Sequence, residues 1–137
     1  MKNFKFKSVF VVLFLATALI SCSNDDDKPQ GPNPALKVGL VTEVKGPATG
    51  KVNDELNYDI TFIVDNACGE FNKFSEVTIG DVKGLQVEVK YPSEICTQQV
   101  PEPKKTVYKF KPEAKGTYEL KFKKSDKEFI ITKVVIE

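Results

Sequence analysis

Sulfur is the first place to look for chemistry in this 137-residue chain: it has three cysteines, Cys22, Cys68 and Cys96. Histidine is absent, and all 20 basic residues are lysine. The commonest general base and metal ligand is therefore missing. So is the guanidinium fork that grips phosphate or carboxylate in two places. Asp, Glu and Lys could still run catalysis, but they form no spaced motif for it. No catalytic residue is assigned and no enzyme is expected. Two thiolates without a histidine make a poor zinc site. The oxygens of Asp65, Asn66, Glu70 and Asp81 match no calcium-loop spacing. No metal and no cofactor is expected, which leaves acylation or pairing as the work for the thiols.

Cys22 sits in a telling context. Lys2, Lys5 and Lys7 form a positive head, Val9–Ile20 is an apolar run, and Ser21 precedes the cysteine. A charged head, a short apolar middle and a small residue are the parts of an export signal. The run is shorter than the roughly 20 residues that span a bilayer. Leu19-Ile20-Ser21-Cys22 resembles the lipobox of bacterial lipoproteins. That resemblance implies cleavage between Ser21 and Cys22, with diacylglycerol and an acyl chain such as palmitate carried covalently on Cys22. Each buried CH₂ would contribute about 0.8 kcal/mol of membrane affinity. The alternative is an ordinary secretory signal in which Cys22 is incidental. Ser23-Asn24-Asp25-Asp26-Asp27 resembles the surface-export signal of lipoproteins from the Bacteroidota. This implies an outer-membrane protein facing the cell exterior. If the acidic run is only a solvated linker start, the periplasmic face is the alternative.

Cys68 and Cys96 remain. An exported chain with two further cysteines most often pairs them, at a gain of roughly 3–4 kcal/mol by loop-closure entropy. Two buried free thiols, or a reactive or metal-binding pair, are the competing readings.

The elements that position these residues begin after a linker. Residues 1–21 read as a signal-peptide helix. Residues 22–35 read as the lipidated cysteine and an acidic, proline-rich tether. Residues 36–137 have the length of one small domain. There apolar and polar residues alternate in twos. Strands are expected at 36–44, with Leu36, Val38, Leu40 and Val44 inward, and at 56–64, with Leu56, Tyr58, Ile60, Phe62 and Val64 inward. Others are expected at 73–79, 85–91, 106–111, 117–123 and 128–136. In the last, Phe129 and Ile131 followed by Val134 and Ile136 imply a bulge near Thr132. Phe71 and Phe74 are read as strapping a loop to the core.

About seven short strands with frequent turns point to an all-β, antiparallel sandwich. Gly116-Thr117-Tyr118 resembles the tyrosine corner of immunoglobulin-like domains. It implies that the Tyr118 hydroxyl bonds back to the chain a few residues upstream. Leu120 stands where antibody domains carry a cysteine, so their intersheet disulfide is not expected.

Charge is uneven. Acids dominate residues 22–102, and lysines dominate residues 104–127. Lys109, Lys111, Lys121 and Lys123 fall on outward positions of two strands and would form a basic patch if those strands adjoin. Such a patch suits an envelope protein or an anionic glycan. It equally suits a solvated face whose lysines discourage strand-to-strand aggregation. Without arginine or clustered exposed aromatics, nucleic acid is not an expected partner. The function expected is a non-catalytic binding or structural module of the cell envelope, membrane-bound through its lipid. The alternative is an immunoglobulin-like protease inhibitor presenting loops from one end of the sandwich.

Overall fold

The computed structural model describes residues 34–92, 96 and 100–137. The signal, the Ser21–Cys22 junction and the run Ser23, Asn24, Asp25, Asp26, Asp27 lie outside the described residues. The described chain is all β: β1 (Ala35–Lys45), β2 (Thr49–Gly50), β3 (Leu56–Ile63), β4 (Glu70–Ile79), β5 (Val82–Tyr91), β6 (Lys104–Phe110), β7 (Gly116–Lys123) and β8 (Phe129–Ile136). They form one curled sheet in the order β2-β8-β7-β5-β1-β3-β6, with β4 on the other edge of β5. The sheet is mixed, which corrects the purely antiparallel expectation. β2 runs parallel to β8, and β5 runs parallel to β7 through the single pair Leu85–Phe122.

β1 joins the two halves of the sheet. Ala35–Gly39 pairs with β5, and Leu40–Lys45 pairs with β3. The crossing point is Gly39. A Cβ there would stand 2.8 Å from Val89 and 2.9 Å from Phe62, so those two side chains occupy the space a larger residue would need. This sets the parity of the strand against the expected one. Val41 is fully buried, whereas Leu36 is 59% and Val38 39% exposed. A register shift between Val41 and Glu43 then lets Val44 pack on the core as well.

β3, β5 and β7 follow their alternation. Tyr58, Ile60 and Phe62 face Val87, Val89, Tyr91, Leu120 and Phe122 in one buried cluster that includes Val134 and Ile136. Each large side chain buried this way contributes about 1.5–3 kcal/mol. In β8 the register against β7 is continuous from Phe129 to Ile136, so the bulge expected near Thr132 is absent. Ile130 supplies the inward apolar contact, and Ile131 points out at 52% exposure. A bulge does occur in β4, between Phe71 and Lys73. It turns two phenylalanines three positions apart to the same side. Phe74 then meets Phe71 at 5.0 Å, Tyr108 at 5.1 Å and Phe122 at 6.2 Å between ring centroids.

Candidate functional site

The end of the sheet where β3 meets β4 carries the sulfur chemistry. The chain leaves β3 through Asp65-Asn66-Ala67. Asn66 Oδ1 accepts from the Cys68 N–H at 3.0 Å, and the Asn66 carbonyl accepts from the Gly69 N–H at 3.1 Å. These bonds make a turn on the asparagine side chain that sets the half-buried Cys68 just before β4. Cys96 comes from the segment after β5. The two cysteines are joined as a disulfide with Cα atoms 6.0 Å apart, within the ordinary range. Two further contacts tie down this end. The Asp65 N–H donates to the Tyr91 hydroxyl at 2.8 Å, and Lys104 Nζ donates to the Ala67 carbonyl at 3.2 Å. Lys37 pairs with Asp65 at 2.7 Å and lies over the Tyr91 ring at 5.3 Å. The hydrogen bond that Lys37 donates to the Asp65 carboxylate raises the Lys37 amine above its ordinary value. A recess of about 380 Å³ lies beside this staple, lined by Ala67, Val100, Pro101, Glu102, Pro103 and Lys104.

The four lysines read as a basic patch are not brought together. Lys109 is on β6 and Lys111 just beyond it, whereas Lys121 and Lys123 are on β7. β6 and β7 oppose each other across the core, with Tyr108 and Phe122 ring centroids 5.4 Å apart. Side chains on their outer faces therefore point away from one another. Three of the four are also in ion pairs: Lys109 with Glu55 at 2.8 Å, Lys121 with Glu119 at 3.3 Å, and Lys123 with Asp126 at 2.9 Å.

The corner before β7 is built as a hydrogen bond. The Tyr118 hydroxyl donates to the Ala114 carbonyl at 2.8 Å, and the Tyr118 ring packs on Phe110 at 5.3 Å. Gly116 enters the strand at φ 148°, a region that a side chain rarely allows.

A cleft that sequence reasoning missed opens where β5 and β7 diverge from their single pair. It measures about 260 Å³ and is lined by Glu76, Lys83, Leu85, Tyr108, Glu119, Leu120 and Lys121, with Gly84 at its edge. Its floor is apolar and its rim carries both signs of charge. Glu119 is held below its ordinary carboxylate value by hydrogen bonds from Lys121 and Lys133. Tyr108 is raised above its ordinary value by burial. An ionised carboxylate and a protonated phenol offer an acceptor and a donor above an apolar floor, which is the equipment of a contact surface. Nothing in the periodicity could have announced it, because it depends on a parallel pairing between distant strands. Among the described residues, no group of three or more Cys, Asp or Glu side chains gathers at a metal-binding distance. No family model, no curated protein and no solved structure matches this chain.

Proposed function

We propose that the chain is a lipid-anchored module of the bacterial outer membrane, displayed to the exterior on an acidic and proline-rich tether, that binds or braces an envelope partner without catalysing a reaction. The observation that carries this reading is the joining of Cys68 to Cys96 in a chain that also carries Leu19-Ile20-Ser21-Cys22. Disulfides form and persist in oxidising compartments outside the cytosol, which is where the amino-terminal segment would direct the chain. The cleft supports a binding role. On its rim Glu119 pairs with Lys121 at 3.3 Å, and it is held below its ordinary carboxylate value rather than raised in the manner of a general acid. An anionic glycan or an envelope protein remains the partner class, now sought at this cleft rather than at a lysine patch.

The immunoglobulin-like reading draws on the Tyr118–Ala114 bond and on the pairings β1–β3, β3–β6 and β7–β8. The position of β5 departs from it. In that fold the third strand lies beside the sixth, whereas here β5 intervenes between β4 and β7.

Metabolic labelling with an alkyne palmitate analogue tests the anchor. Label on the wild-type chain that is lost in Cys22→Ser supports the proposal, and equal label on both refutes it. The inhibitor reading predicts stoichiometric block of a serine or cysteine protease through the stapled loops. A panel assay with the intact chain decides it.

A further inference from the structure

Resting on the cleft between β5 and β7 as the binding surface, we propose that its occupant is a short peptide with free ends and an aliphatic side chain, held as a zwitterion, rather than an anionic glycan. The cleft is a gap in the sheet that closes at the pair Leu85–Phe122. Alternation puts Lys83 and Leu85 on the same face as the buried Val87 and Val89, and the register sets Glu76 opposite Leu85. Two charged side chains therefore stand on the inward face at the end of the core, beside the apolar Leu85 and Leu120. Among the described residues, the side chains of Glu76 and Lys83 enter no ion pair or hydrogen bond, and the Tyr108 hydroxyl has no hydrogen-bond partner.

Charge selects the ligand. Glu119 is already paired with Lys121 at 3.3 Å and with Lys133 at 3.4 Å. The charges left in the cleft are one carboxylate, Glu76, and one ammonium, Lys83. A polyanion would find no excess of positive charge there and would lie against two carboxylates. A zwitterion finds a partner for each end, its ammonium at Glu76 and its carboxylate at Lys83. Its aliphatic side chain covers Leu85 and Leu120. The volume of about 260 Å³ suits a dipeptide, being just under the roughly 300–1,000 Å³ of drug-sized sites.

The β7 wall favours a peptide over other zwitterions. The Val135 N–H donates to the Ala48 carbonyl and the Glu137 N–H to the Gly50 carbonyl, so the odd-numbered positions at this end of β8 turn their backbone groups away from β7. Thr117 and Glu119 lie opposite Val135 and Lys133. By the alternation of an antiparallel ladder, they turn their own backbone groups toward β5. No strand pairs with them there, because β5 and β7 share only Leu85–Phe122. The Glu119 N–H and carbonyl thus offer a peptide group of the ligand the donor and acceptor of a strand.

The experiment is a titration of the full chain in lipid nanodiscs, followed by the backbone amide resonances of Gly84 and Glu119. The probe is alanyl-leucine. N-acetyl-alanyl-leucine lacks its ammonium, alanyl-leucinamide lacks its carboxylate, and glucuronate represents the anionic glycan. Blocking either end should weaken binding to the wild type about fivefold, the scale of an exposed ion pair. In Glu76→Gln, acetylation should make no further difference while amidation still does. In Lys83→Gln the pattern should reverse. Both positions are exposed, and the opposite patterns of the two variants separate lost contacts from lost folding. Equal binding of the free and blocked dipeptides to the wild type overturns the proposal, as does one response shared by both variants. Shifts with glucuronate but not with alanyl-leucine overturn the peptide and keep the cleft as the binding surface. No shift with either probe overturns both.

Discussion

The Tyr118 hydroxyl donates to the carbonyl of Ala114, four residues upstream, at 2.8 Å, and so holds the turn between β6 and β7 against the strand it feeds. Tyr118→Phe keeps the ring on Phe110 and removes only this bond. The expected loss is about 1 kcal/mol, seen as a lower urea midpoint with an unchanged denaturant slope.

The Cys68–Cys96 bond restrains the unfolded chain across a sequence separation of 28. Replacing both cysteines by alanine should cost roughly 3 kcal/mol. Thermal unfolding with and without reductant checks this. The wild type should lose stability on reduction, and the double variant should be indifferent to it.

Gly46 lies flat against the ring of Tyr58, whose hydroxyl donates to the Pro47 carbonyl at 2.9 Å. A methyl group at position 46 would overlap that fully buried ring. Gly46→Ala should destabilise by about 1–3 kcal/mol, the ordinary cost of overpacking. Tyr58→Phe should cost about 1 kcal/mol. Equilibrium denaturation of the two single variants separates the steric effect from the polar one.

Stability should fall at both ends of the pH range, for identifiable groups. Burial raises Tyr58 and Tyr108 above the ordinary 10.0. The folded chain therefore holds these protons more tightly than the unfolded chain. Their contribution is whole below pH 10.0 and is lost as pH rises through the raised folded values. Glu119 is shifted the other way, lowered from 4.5 by hydrogen bonds from Lys121 and then Lys133. Its contribution is present above pH 4.5 and is lost as pH falls through the lowered folded value. Melting temperature against pH should decline less steeply above pH 10 in Tyr108→Phe, and less steeply below pH 4.5 in Glu119→Gln.

What could be read from the residues was the regular alternation. Tyr58, Ile60 and Phe62 in β3, Val87 and Val89 in β5, and Leu120 and Phe122 in β7 face the core as their period of two requires. The period misled where a strand carries an irregularity or a choice. In β1, glycine at position 39 takes the inward place without looking apolar, which turns Leu36 and Val38 outward. In β8, Ile130 and Ile131 are chemically equivalent, and only the unbroken register against β7 decides which one is buried. The bulge that aligns Phe71 with Phe74 has no local sign beyond their spacing. The disulfide partners were legible because, with Cys22 read as an acylation site, only Cys68 and Cys96 remain to pair. The cleft was not legible, because β5 and β7 are far apart in sequence and meet at one pair. The scatter of the four lysines follows from the same long-range topology, which places β6 and β7 on opposite sides of the core.

The most direct test of the account is protease shaving of intact cells, with the domain followed in the cell pellet and in the medium and a periplasmic protein as control. The account predicts loss of the domain from the cells while the control stays intact, because the tether would hold the domain outside. Protection of the domain until the outer membrane is broken would contradict surface display and the role given to Asp25, Asp26 and Asp27.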